Sequence, residues 1–535
     1  MDALVLKIIL IVVFFAVMIG VGVYSRRHAT DVNGFVLGGR SVGPWLTAFA
    51  YGTSYFSAVI FIGYAGQFGW NFGVSATWAG LGNAFIGSLL AWTILGRRTR
   101  VMTQHLDART MPDFFGKRYD SETLKIVASV IVFIFLIPYT ASLYNGLSSL
   151  FDMAFGVPYW VAIVVMSVLT CVYVLIGGYM ATAMNDFIQG IIMLVGIVAV
   201  VLAVLKSNGG FTESLIKLSQ VPVESNPEQV GGFASFFGTD PVFLLFVVLL
   251  TSLGTWGLPQ MVGKFYAIDK EDSIRKGTII STVFAVVVAG GCYFLGGFGR
   301  LYANTDIFVN GKVSFDRIVP QMLATLQGTV IGDLIVALVL VLVLAASMST
   351  LSSLVLTSSS TLALDVIDRK KNKGEKKNLL IMRIFVVFFV AVSAVIAILK
   401  DMFPGFTFIA QMMGVSWGAL AGSFLAPFLY GLYWKKTTRP AVWVSFIWGV
   451  GVTLVQLLVT FKVLNFEGGV LGFMFRNSIY SGVFAMVGGL VLVPIVSLLT
   501  KKLPNDVVGP MFTCYERKVL VTVKDSLEER ERKAK

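Results

Sequence analysis

A dense cluster of hydroxyl side chains lies within one otherwise apolar stretch of the chain, residues 330–366. Ala346, Ser349, Thr350 and Ser353 recur there at the i, i+3, i+4 and i+7 spacing, which places them on one face of a helix. Hydroxyl and carbonyl oxygens are the ligands that hard cations prefer, and the rule for Ca²⁺ and Mg²⁺ extends to Na⁺ by analogy. Small-residue packing with interhelical hydrogen bonds also explains part of this cluster. The pattern alone leaves both interpretations open.

Two other apolar stretches carry glycine and hydroxyl residues at their centres, from Tyr51 to Ser57 and from Thr251 to Pro259. Glycine and proline release backbone carbonyls from the helical ladder, and a membrane tolerates such a break only where it is buried in protein or lines a wet cavity. Both residues are also common in ordinary membrane helices. The pairing of the two stretches favours breaks, because matched interrupted helices in the two halves of an inverted repeat indicate a transporter binding site.

One carboxylate, Asp186, stands at the beginning of the apolar stretch 184–205. It either sits in the membrane interface or faces the interior of a helix bundle. In the second case an ionisable group is costly, is usually functional and is paired with a cation. The sequence leaves both placements open.

The elements that position these residues are membrane-spanning helices. Of 535 residues, 56% are hydrophobic and 13% are charged, and the mean hydropathy is +0.82. The apolar blocks of roughly 20 to 30 residues suffice to cross a hydrocarbon core of ~30 Å as helix, whereas barrel strands would alternate apolar and polar residues. The sequence therefore predicts an all-α polytopic membrane protein of about 13 transmembrane helices. The predicted spans are 4–24, 44–67, 75–96, 124–154, 158–181, 184–205, 241–264, 275–299, 330–366, 378–399, 404–434, 439–461 and 474–499.

The net charge of +13 arises from basic residues in the short loops between these spans, so nucleic-acid binding is excluded. Successive loops lie on alternate sides of the membrane, and most basic residues are in the loops of one side. By the positive-inside rule, that side is the cytoplasm. We therefore predict a multi-pass protein of the cell membrane with its N-terminus outside and its C-terminus in the cytoplasm. The basic residues assigned to the cytoplasmic face include Arg26, Arg27, Arg40, Arg97, Arg98, Arg100, Lys264, Lys270, Lys435 and Lys436.

The sequence contains few residues that could catalyse a reaction. Its three cysteines form no CxxC pair, it has only two histidines, and it contains no P-loop and no nucleophile–base pair. We therefore predict that the protein is not an enzyme.

The chain resembles the sodium:solute symporter family, in particular its proline and pantothenate symporter branches, over roughly residues 10–500. The resemblance is carried by several short motifs in the same order and at similar spacings. These are 35–40, 53–57, Gly177 to Tyr179, Asn185 with Asp186 and Gln189, 257–259, 345–352 and 431–434.

The resemblance implies a LeuT-like core with a five-plus-five inverted repeat, in which Na⁺ moves down its gradient with a solute by alternating access. The implied boundaries are a first span and cytoplasmic loop (1–43), a first repeat with core helices 1–5 (44–205), an outer loop (206–240), a second repeat with core helices 6–10 (241–434), two additional spans (435–500) and a cytoplasmic tail (501–535). The implied partners are a small solute, sodium ions and the lipid bilayer.

The family motifs also imply the ion ligands. A first sodium site would take the carbonyls of Thr53, Phe56 and Ala346 and the hydroxyls of Ser349 and Thr350. Some members bind a second Na⁺ nearer the cytoplasm, and the corresponding residues here are Asp186, Ser349, Ser352 and Ser353.

The resemblance says less about the solute. Proline symporters carry an acidic residue where Tyr55 stands and aromatic residues where Thr251 and Thr255 stand. The sugar branch has a glutamine at the position where Ile60 stands in this chain. The sialic-acid branch has an arginine in the span that matches 124–154, and this chain has no arginine there. These differences disfavour sugars and sialic acid, and the chain also departs from the proline symporters at three positions. The resemblance to the proline and pantothenate branches as a whole still implies a small amino acid or a monocarboxylate, such as proline or pantothenate. The expected pocket residues are Tyr55, Ser57, Tyr139, Thr255, Trp256 and Gln411.

Two other functions remain open at this stage. A proton-coupled carrier on the same fold would use Asp186 as its titrating group. A channel or a sensor would bind the solute without stoichiometric transport, although the tail after residue 500 is too short for a signalling domain.

Overall fold

The computed structural model of the protein describes residues 3–156, 158–223, 230–309, 311–367, 375–399 and 409–516. The helices of the first half are α1 (Ala3–Ser25), α2 (Val32–Leu37), α3 (Pro44–Tyr55), α4 (Ala65–Phe72), α5 (Thr77–Gly82), α6 (Arg97–His105), α7 (Met111–Arg118), α8 (Glu122–Phe155), α9 (Tyr159–Ser207) and α10 (Phe211–Ser219). Those of the second half are α11 (Pro241–Leu253), α12 (Pro259–Tyr266), α13 (Asp272–Gly296), α14 (Ile318–Ala324), α15 (Val330–Thr361), α16 (Glu375–Leu399), α17 (Ile409–Tyr433), α18 (Arg439–Thr460), α19 (Gly469–Met474), α20 (Ser478–Leu499) and α21 (Asn505–Phe512).

Shorter elements join these helices. Wider π-helical turns occupy Val59–Tyr64, Asn83–Leu90, Trp92–Gly96 and Leu362–Ile367. The 3₁₀ turns are Arg26–His28, Gly38–Arg40, Gly73–Ala76, Gly232–Ala234, Gly254–Gly257, Gly299–Tyr302, Thr305–Ile307, Phe315–Arg317 and Thr513–Tyr515. A small antiparallel ribbon pairs β1 (Phe308–Val309) with β2 (Lys312–Val313).

The described residues contain ten helices long and apolar enough to cross a membrane, or eleven if a bent pair counts as one span. Two of these stretches, Val59–His105 and Trp160–Ser207, have 47 and 48 residues. At 1.5 Å per residue each is about 70 Å long, more than twice the ~30 Å hydrocarbon core. If each of these two stretches crosses the membrane twice, the eleven spans become the predicted thirteen. The number thirteen stays a prediction.

Two predicted span boundaries are displaced in the structure. Spans 158–181 and 184–205 both lie in α9, which consists of two helices joined across a kink at Gly178, so their boundary lies there rather than at 182–183. Gly178 has φ 56°, a left-handed conformation that only glycine adopts readily, and a Cβ there would lie 2.9 Å from the carbonyl oxygen of Phe35. The second span also continues past residue 67, through α4 to Phe72.

Both predicted interruptions occur. After α3, Phe56 has φ −101° and ψ 89°, and helix resumes in the π-helical turn at Val59. In the second stretch α11 ends at Leu253, a 3₁₀ turn follows, and α12 begins at Pro259 with a bend of 48° between the two parts. Proline at the first helical position favours this restart, because its missing N–H would be unpaired there in any case.

Backbones touch where α4 crosses α13. A Cβ on Gly69 would lie 2.0 Å from the carbonyl oxygen of Gly296, and a Cβ on Gly296 would lie 2.0 Å from the carbonyl oxygen of Ala65. No side chain fits between the two helices at this point. The glycines therefore set the distance between α4 and α13.

The predicted long loops and the tail contain structure of their own. The 206–240 loop holds α10, and the 300–329 loop holds the β-ribbon and α14. The first part of the tail, α21, packs back on the protein, since the Pro510 carbonyl lies 3.0 Å from Nε2 of His105 and Tyr515 donates to the Arg98 carbonyl. The charged run from Asp525 to Lys535 lies outside the described residues.

Candidate functional site

The first site lies where the break after α3 meets the middle of α15. The Thr53 hydroxyl donates to the Phe49 carbonyl within α3, which leaves the Thr53 carbonyl directed at α15. Phe56 stands in the break itself, and its non-helical ψ of 89° turns its carbonyl away from the helix axis. The local sequence therefore presents backbone oxygens sideways toward the neighbouring helix.

Two hydroxyls of α15 converge on these carbonyls. Ser349 Oγ lies 3.0 Å from the Thr53 oxygen and 3.1 Å from the Ala346 oxygen. Thr350 Oγ1 lies 3.2 Å from both of the same oxygens. All four residues are fully buried. The structure thus brings together Thr53, Ala346, Ser349 and Thr350, which the helical spacing of α15 and the family motifs had together suggested.

The chemistry of this oxygen set fits a sodium ion. Its members are carbonyl and hydroxyl oxygens, which are hard, neutral ligands. Each hydroxyl can turn its lone pair toward a cation while its proton keeps another acceptor. Thr53, Ala346, Ser349 and Thr350 could therefore hold Na⁺ at the first site. The Phe56 carbonyl stays a predicted fifth ligand.

A second polar cluster lies around Asp186. The Asp186 side chain is fully buried, and its Oδ2 lies 3.5 Å from Nζ of Lys264, whose side chain is only 3% exposed. Lys264 also donates to Ser353 Oγ at 2.9 Å, and Ser353 Oγ lies 2.7 Å from Ser54 Oγ. Ser352 donates to the Ser349 carbonyl at 2.9 Å. Asp186 therefore faces the bundle interior.

The position of Lys264 corrects one part of the sequence analysis. The charge count placed it among loop residues at the membrane face, because it ends the predicted span 241–264. In the structure it lies on α12, buried against Asp186 and Ser353. Its charge therefore belongs to the interior, and it contributes nothing to the positive-inside argument.

The Asp186 carboxylate is loosely held in this cluster. Among the described residues neither of its oxygens has a hydrogen-bond partner, and 3.5 Å to the Lys264 ammonium exceeds the 2.7–2.9 Å of a charge-assisted hydrogen bond. A buried carboxylate without hydrogen bonds is costly unless a cation or another donor completes its surroundings.

Aromatic side chains form the wall between the two breaks. The Tyr55 hydroxyl donates to the Thr251 carbonyl at 2.5 Å, which links the first broken helix to the second. The ring of Tyr55 stacks on Phe56 at 4.3 Å and lies 6.3 Å from Trp417. Trp417 in turn lies 6.1 Å from Tyr139. Tyr55 and Tyr139 are thus brought together through Trp417.

Two buried donors in this wall are unpaired in the part of the chain that the structure describes, Tyr139 Oη and Trp417 Nε1. Other predicted pocket residues use their donors within the protein. Thr255 donates to the Ser252 carbonyl at 2.9 Å, and Trp256 donates to the Ile86 carbonyl at 3.1 Å. Ser57 Oγ accepts from the Val59 N–H at 3.3 Å. The side chain of Gln411 lies outside the described residues.

Sequence reasoning missed Lys264 and Trp417. Lys264 follows Pro259 by five residues. A helix that begins again at this proline would place Lys264 inside the bundle. The proline was therefore the feature of the sequence from which the burial of Lys264 could have been predicted. Trp417 lies near the middle of the predicted span 404–434, away from the interfaces where tryptophan is usually found.

A small cavity of about 50 Å³ reaches the second cluster. Lys264 and Ser353 lie at its wall together with Gln260 and Thr357, and Arg109 and Thr110 belong to the same lining. Thr110 donates to Oδ2 of Asp365 at 2.5 Å beside it. The cavity therefore connects the Asp186 cluster toward the α6–α7 loop.

The chain is similar to several known proteins. Residues 35–449 match the family model described as the sodium:solute symporter family. The osmoregulated proline transporter OpuE of Bacillus subtilis (strain 168) is 29% identical over 496 residues, which are 92% of this chain and 94% of that protein. A sodium/proline symporter of Staphylococcus aureus (strain bovine RF122 / ET3-1) is 29% identical over 503 residues, 92% of this chain and 93% of that protein.

The fold is also similar to a solved structure. A Na⁺-coupled sialic acid symporter in a substrate-bound outward-open state superposes with a TM-score of 0.72 at 17% identity, over 93% of this chain and 99% of that one. The helices of this protein therefore adopt the LeuT-like fold that the family resemblance implies.

Proposed function

Because this chain belongs to the sodium:solute symporter family and is a sodium-coupled symporter, not an enzyme, we propose that it imports a small organic solute bearing a carboxylate. The solute is an amino acid or a monocarboxylate. It binds between the two broken helices, and the protein alternates access to that site between the two sides of the membrane.

One observation carries the ion-binding part of this proposal, the convergence of buried oxygens from α3 and α15. Ser349 and Thr350 both reach the carbonyl of Thr53 at 3.0 and 3.2 Å. Na⁺ at this point would bind the residues on both sides of the break, so its arrival would fix α3 against α15. Asp186, with Ser349, Ser352 and Ser353, is proposed as a second cation site.

The breaks themselves support a carboxylate on the solute. After each break a helix begins again, at Val59 in one stretch and at Pro259 in the other. The positive end of the helix dipole lies at each restart and attracts an anionic group. Most N–H groups there are already paired, since those of Val59 and Ile60 bond to Ser57 and that of Met261 bonds to Leu258. The indole of Trp417 and the hydroxyl of Tyr139 supply two further donors. The two relatives named for proline transport support an amino acid as one member of this class.

We also propose a membrane topology for the chain. The N-terminus lies outside and the C-terminus in the cytoplasm, with thirteen spans. Residues 44–205 and 241–434 form the two inverted repeats, 206–240 is an outer loop, and 435–500 adds two helices. The π-helical restart at Val59 and α4 then face the outer side, while α3 and α12 face the cytoplasm.

Thermal stability of the purified protein tests the proposal, first in Na⁺ against choline and then in Na⁺ with amino acids, monocarboxylates, vitamins and sugars. A ligand that binds only the folded state stabilises it by about 2.7 kcal/mol at a hundred times its dissociation constant. We expect a Na⁺-dependent rise in the unfolding temperature that a carboxylate solute enlarges. A rise with sugars alone would contradict the solute class, and no rise with Na⁺ would contradict the ion site.

A further inference from the structure

We propose that the ammonium group of Lys264 occupies the second cation site, so that the protein binds one Na⁺ rather than two. This inference rests on the proposed first sodium site at Thr53, Ser349 and Thr350. Lys264 is then a tethered cation that takes the place of the second ion.

The geometry assigns the same oxygens to the lysine and to the second ion. Nζ of Lys264 lies 2.9 Å from Ser353 Oγ and 3.5 Å from Asp186 Oδ2. These are two of the four residues that would hold the second Na⁺. A sodium ion bound to both would have to lie between them, within contact distance of the ammonium. The two cations therefore exclude each other.

The charges of the cluster favour one sodium ion. Asp186 and Lys264 neutralise each other, and both are buried. Na⁺ at the first site adds one positive charge close by, since Ser349 belongs to both sites. A second Na⁺ would leave two positive charges without a counter-charge from the cluster, which a low-dielectric interior strongly disfavours.

Several contacts hold the ammonium in place. Ser353 Oγ, which accepts from it, is itself paired with Ser54 Oγ at 2.7 Å. The ring of Tyr179 lies 5.3 Å from Nζ, within the range in which an aromatic face attracts a cation. Pro259 begins α12 at the break and so sets the direction in which Lys264 points. The lysine thus has its own binding place.

A small cavity lies beside Lys264 and Ser353. It is lined by Gln260 and Thr357 as well as by Lys264 and Ser353. Both side-chain polar atoms of Gln260 are buried and lack a partner within the described residues. A shorter or neutral side chain at position 264 would leave Asp186 unneutralised at the end of a polar cavity. Such a variant should bind Na⁺ there.

Equilibrium binding of ²²Na⁺ to purified protein in nanodiscs tests this directly, at saturating Na⁺ and without solute. We expect one Na⁺ per wild-type protein and two per Lys264→Met. The double variant Lys264→Met with Asp186→Asn should return to one. In choline, Lys264→Met should unfold at a lower temperature than the wild type, and Na⁺ should restore it. Lys276→Met, which removes an exposed lysine of α13, is the matched control and should bind one Na⁺.

Two Na⁺ per wild-type protein, or one per Lys264→Met, would overturn the inference while leaving the first sodium site intact. If Lys264→Met does not fold, Lys264→Gln, which is one atom shorter than lysine, keeps a hydrogen-bonding end without the charge, and the same counts apply. No Na⁺ on the wild type but one on Lys264→Met would reject the first site and keep the role of the lysine. No Na⁺ on either protein would reject both.

Discussion

At the scale of single residues, the carbonyl of Thr53 is the point on which the ion-binding argument depends. It already accepts from Ser349 and Thr350, so the oxygens that would surround Na⁺ are within hydrogen-bonding distance of one another before any ion is bound. Little reorganisation is then needed on binding, because only the hydroxyl protons have to turn away.

We predict that Ser349→Ala with Thr350→Ala raises the Na⁺ concentration for half-maximal uptake at least tenfold. Two of five ligands are lost, whereas each lost hydrogen bond changes folding stability by only about 0.5–1.5 kcal/mol. Uptake measured against Na⁺ concentration checks this. Ser359→Ala is the control, because Ser359 is equally buried on α15 but donates to the Val355 carbonyl. A tenfold change in the control as well would assign the effect to the helix rather than to the ion.

The unpaired donors near the centre give a second prediction. Tyr139→Phe and Trp417→Phe keep an aromatic ring but remove a donor that lacks a partner among the described residues. We expect each to raise the solute concentration for half-maximal uptake by roughly threefold to tenfold, the equivalent of one hydrogen bond, with the Na⁺ dependence unchanged.

Tyr144→Phe is the matched control for this pair. Tyr144 lies on the same helix, α8, and also has a buried hydroxyl without a partner in the described part of the chain, but it belongs to none of the central contacts. An equal loss in Tyr144→Phe would remove Tyr139 from the solute pocket.

Some residues of each site could be predicted from the sequence, and others could not. The hydroxyl face of α15 was visible because its spacing is local to one helix, and Thr53 because glycine and hydroxyls mark the break. Lys264 and Trp417 were missed because their partners, Asp186 and Tyr139, are distant in the chain. Only the packing of α12 and α17 brings those pairs together.

At the scale of elements, local chemistry predicted where helices break but not how far they extend. Glycine and Pro259 fixed the interruptions at Phe56 and before α12, since these residues act on their own backbone. The boundary between spans 158–181 and 184–205 was predicted at 182–183, because hydropathy alone does not locate a kink, whereas the two helices of α9 meet at Gly178.

The crossing of α4 and α13 gives a prediction at this scale. Gly69→Ala would place a Cβ 2.0 Å from the Gly296 carbonyl oxygen, so the two helices would have to separate. We expect a loss of about 1–3 kcal/mol, the usual cost of overpacking, seen as a lower unfolding temperature. Gly290→Ala on α13 is the control, because a Cβ there meets nothing within 4 Å. Equal stability of both variants would contradict so close an approach.

At the scale of the whole molecule, composition and hydropathy were sufficient for the fold class, and the family resemblance for the LeuT-like core. The number of spans stays a prediction, because two helices joined across a kink, as in α9, count as one long stretch. The predicted orientation of the chain in the membrane depends on the basic residues of the loops. Lys264 is buried and no longer counts among them, whereas the other basic residues still do.

Cysteine labelling tests the orientation in intact cells. In a variant without Cys171, Cys292 and Cys514, we introduce Val230→Cys in the 206–240 loop or Lys502→Cys after α20, both at exposed positions. A membrane-impermeant maleimide should label the first and not the second until the cells are opened, because basic loops stay in the cytoplasm. The reverse pattern would invert the proposed topology.

The single sodium ion would also determine how the whole transporter responds to voltage. One Na⁺ with a zwitterionic amino acid moves one net charge, worth about 2.3 kcal/mol per 100 mV, whereas one Na⁺ with a monocarboxylate moves none. Uptake into vesicles at an imposed K⁺ diffusion potential should therefore rise with an inside-negative potential for an amino acid and stay constant for a monocarboxylate. A voltage-driven monocarboxylate would require a second cation.

The glycine crossing has a mechanical consequence for the transport cycle. Because carbonyl groups rather than side chains fill the contact between α4 and α13, neither helix can slide or repack against the other. A Cβ on Gly66 would likewise meet the Phe315 carbonyl oxygen at 2.2 Å, which joins the segment before α14 to the same contact. We therefore expect α4, α13 and this segment to move together during transport. The non-helical stretch at Phe56 joins this group to α3, beside the proposed sodium ligands.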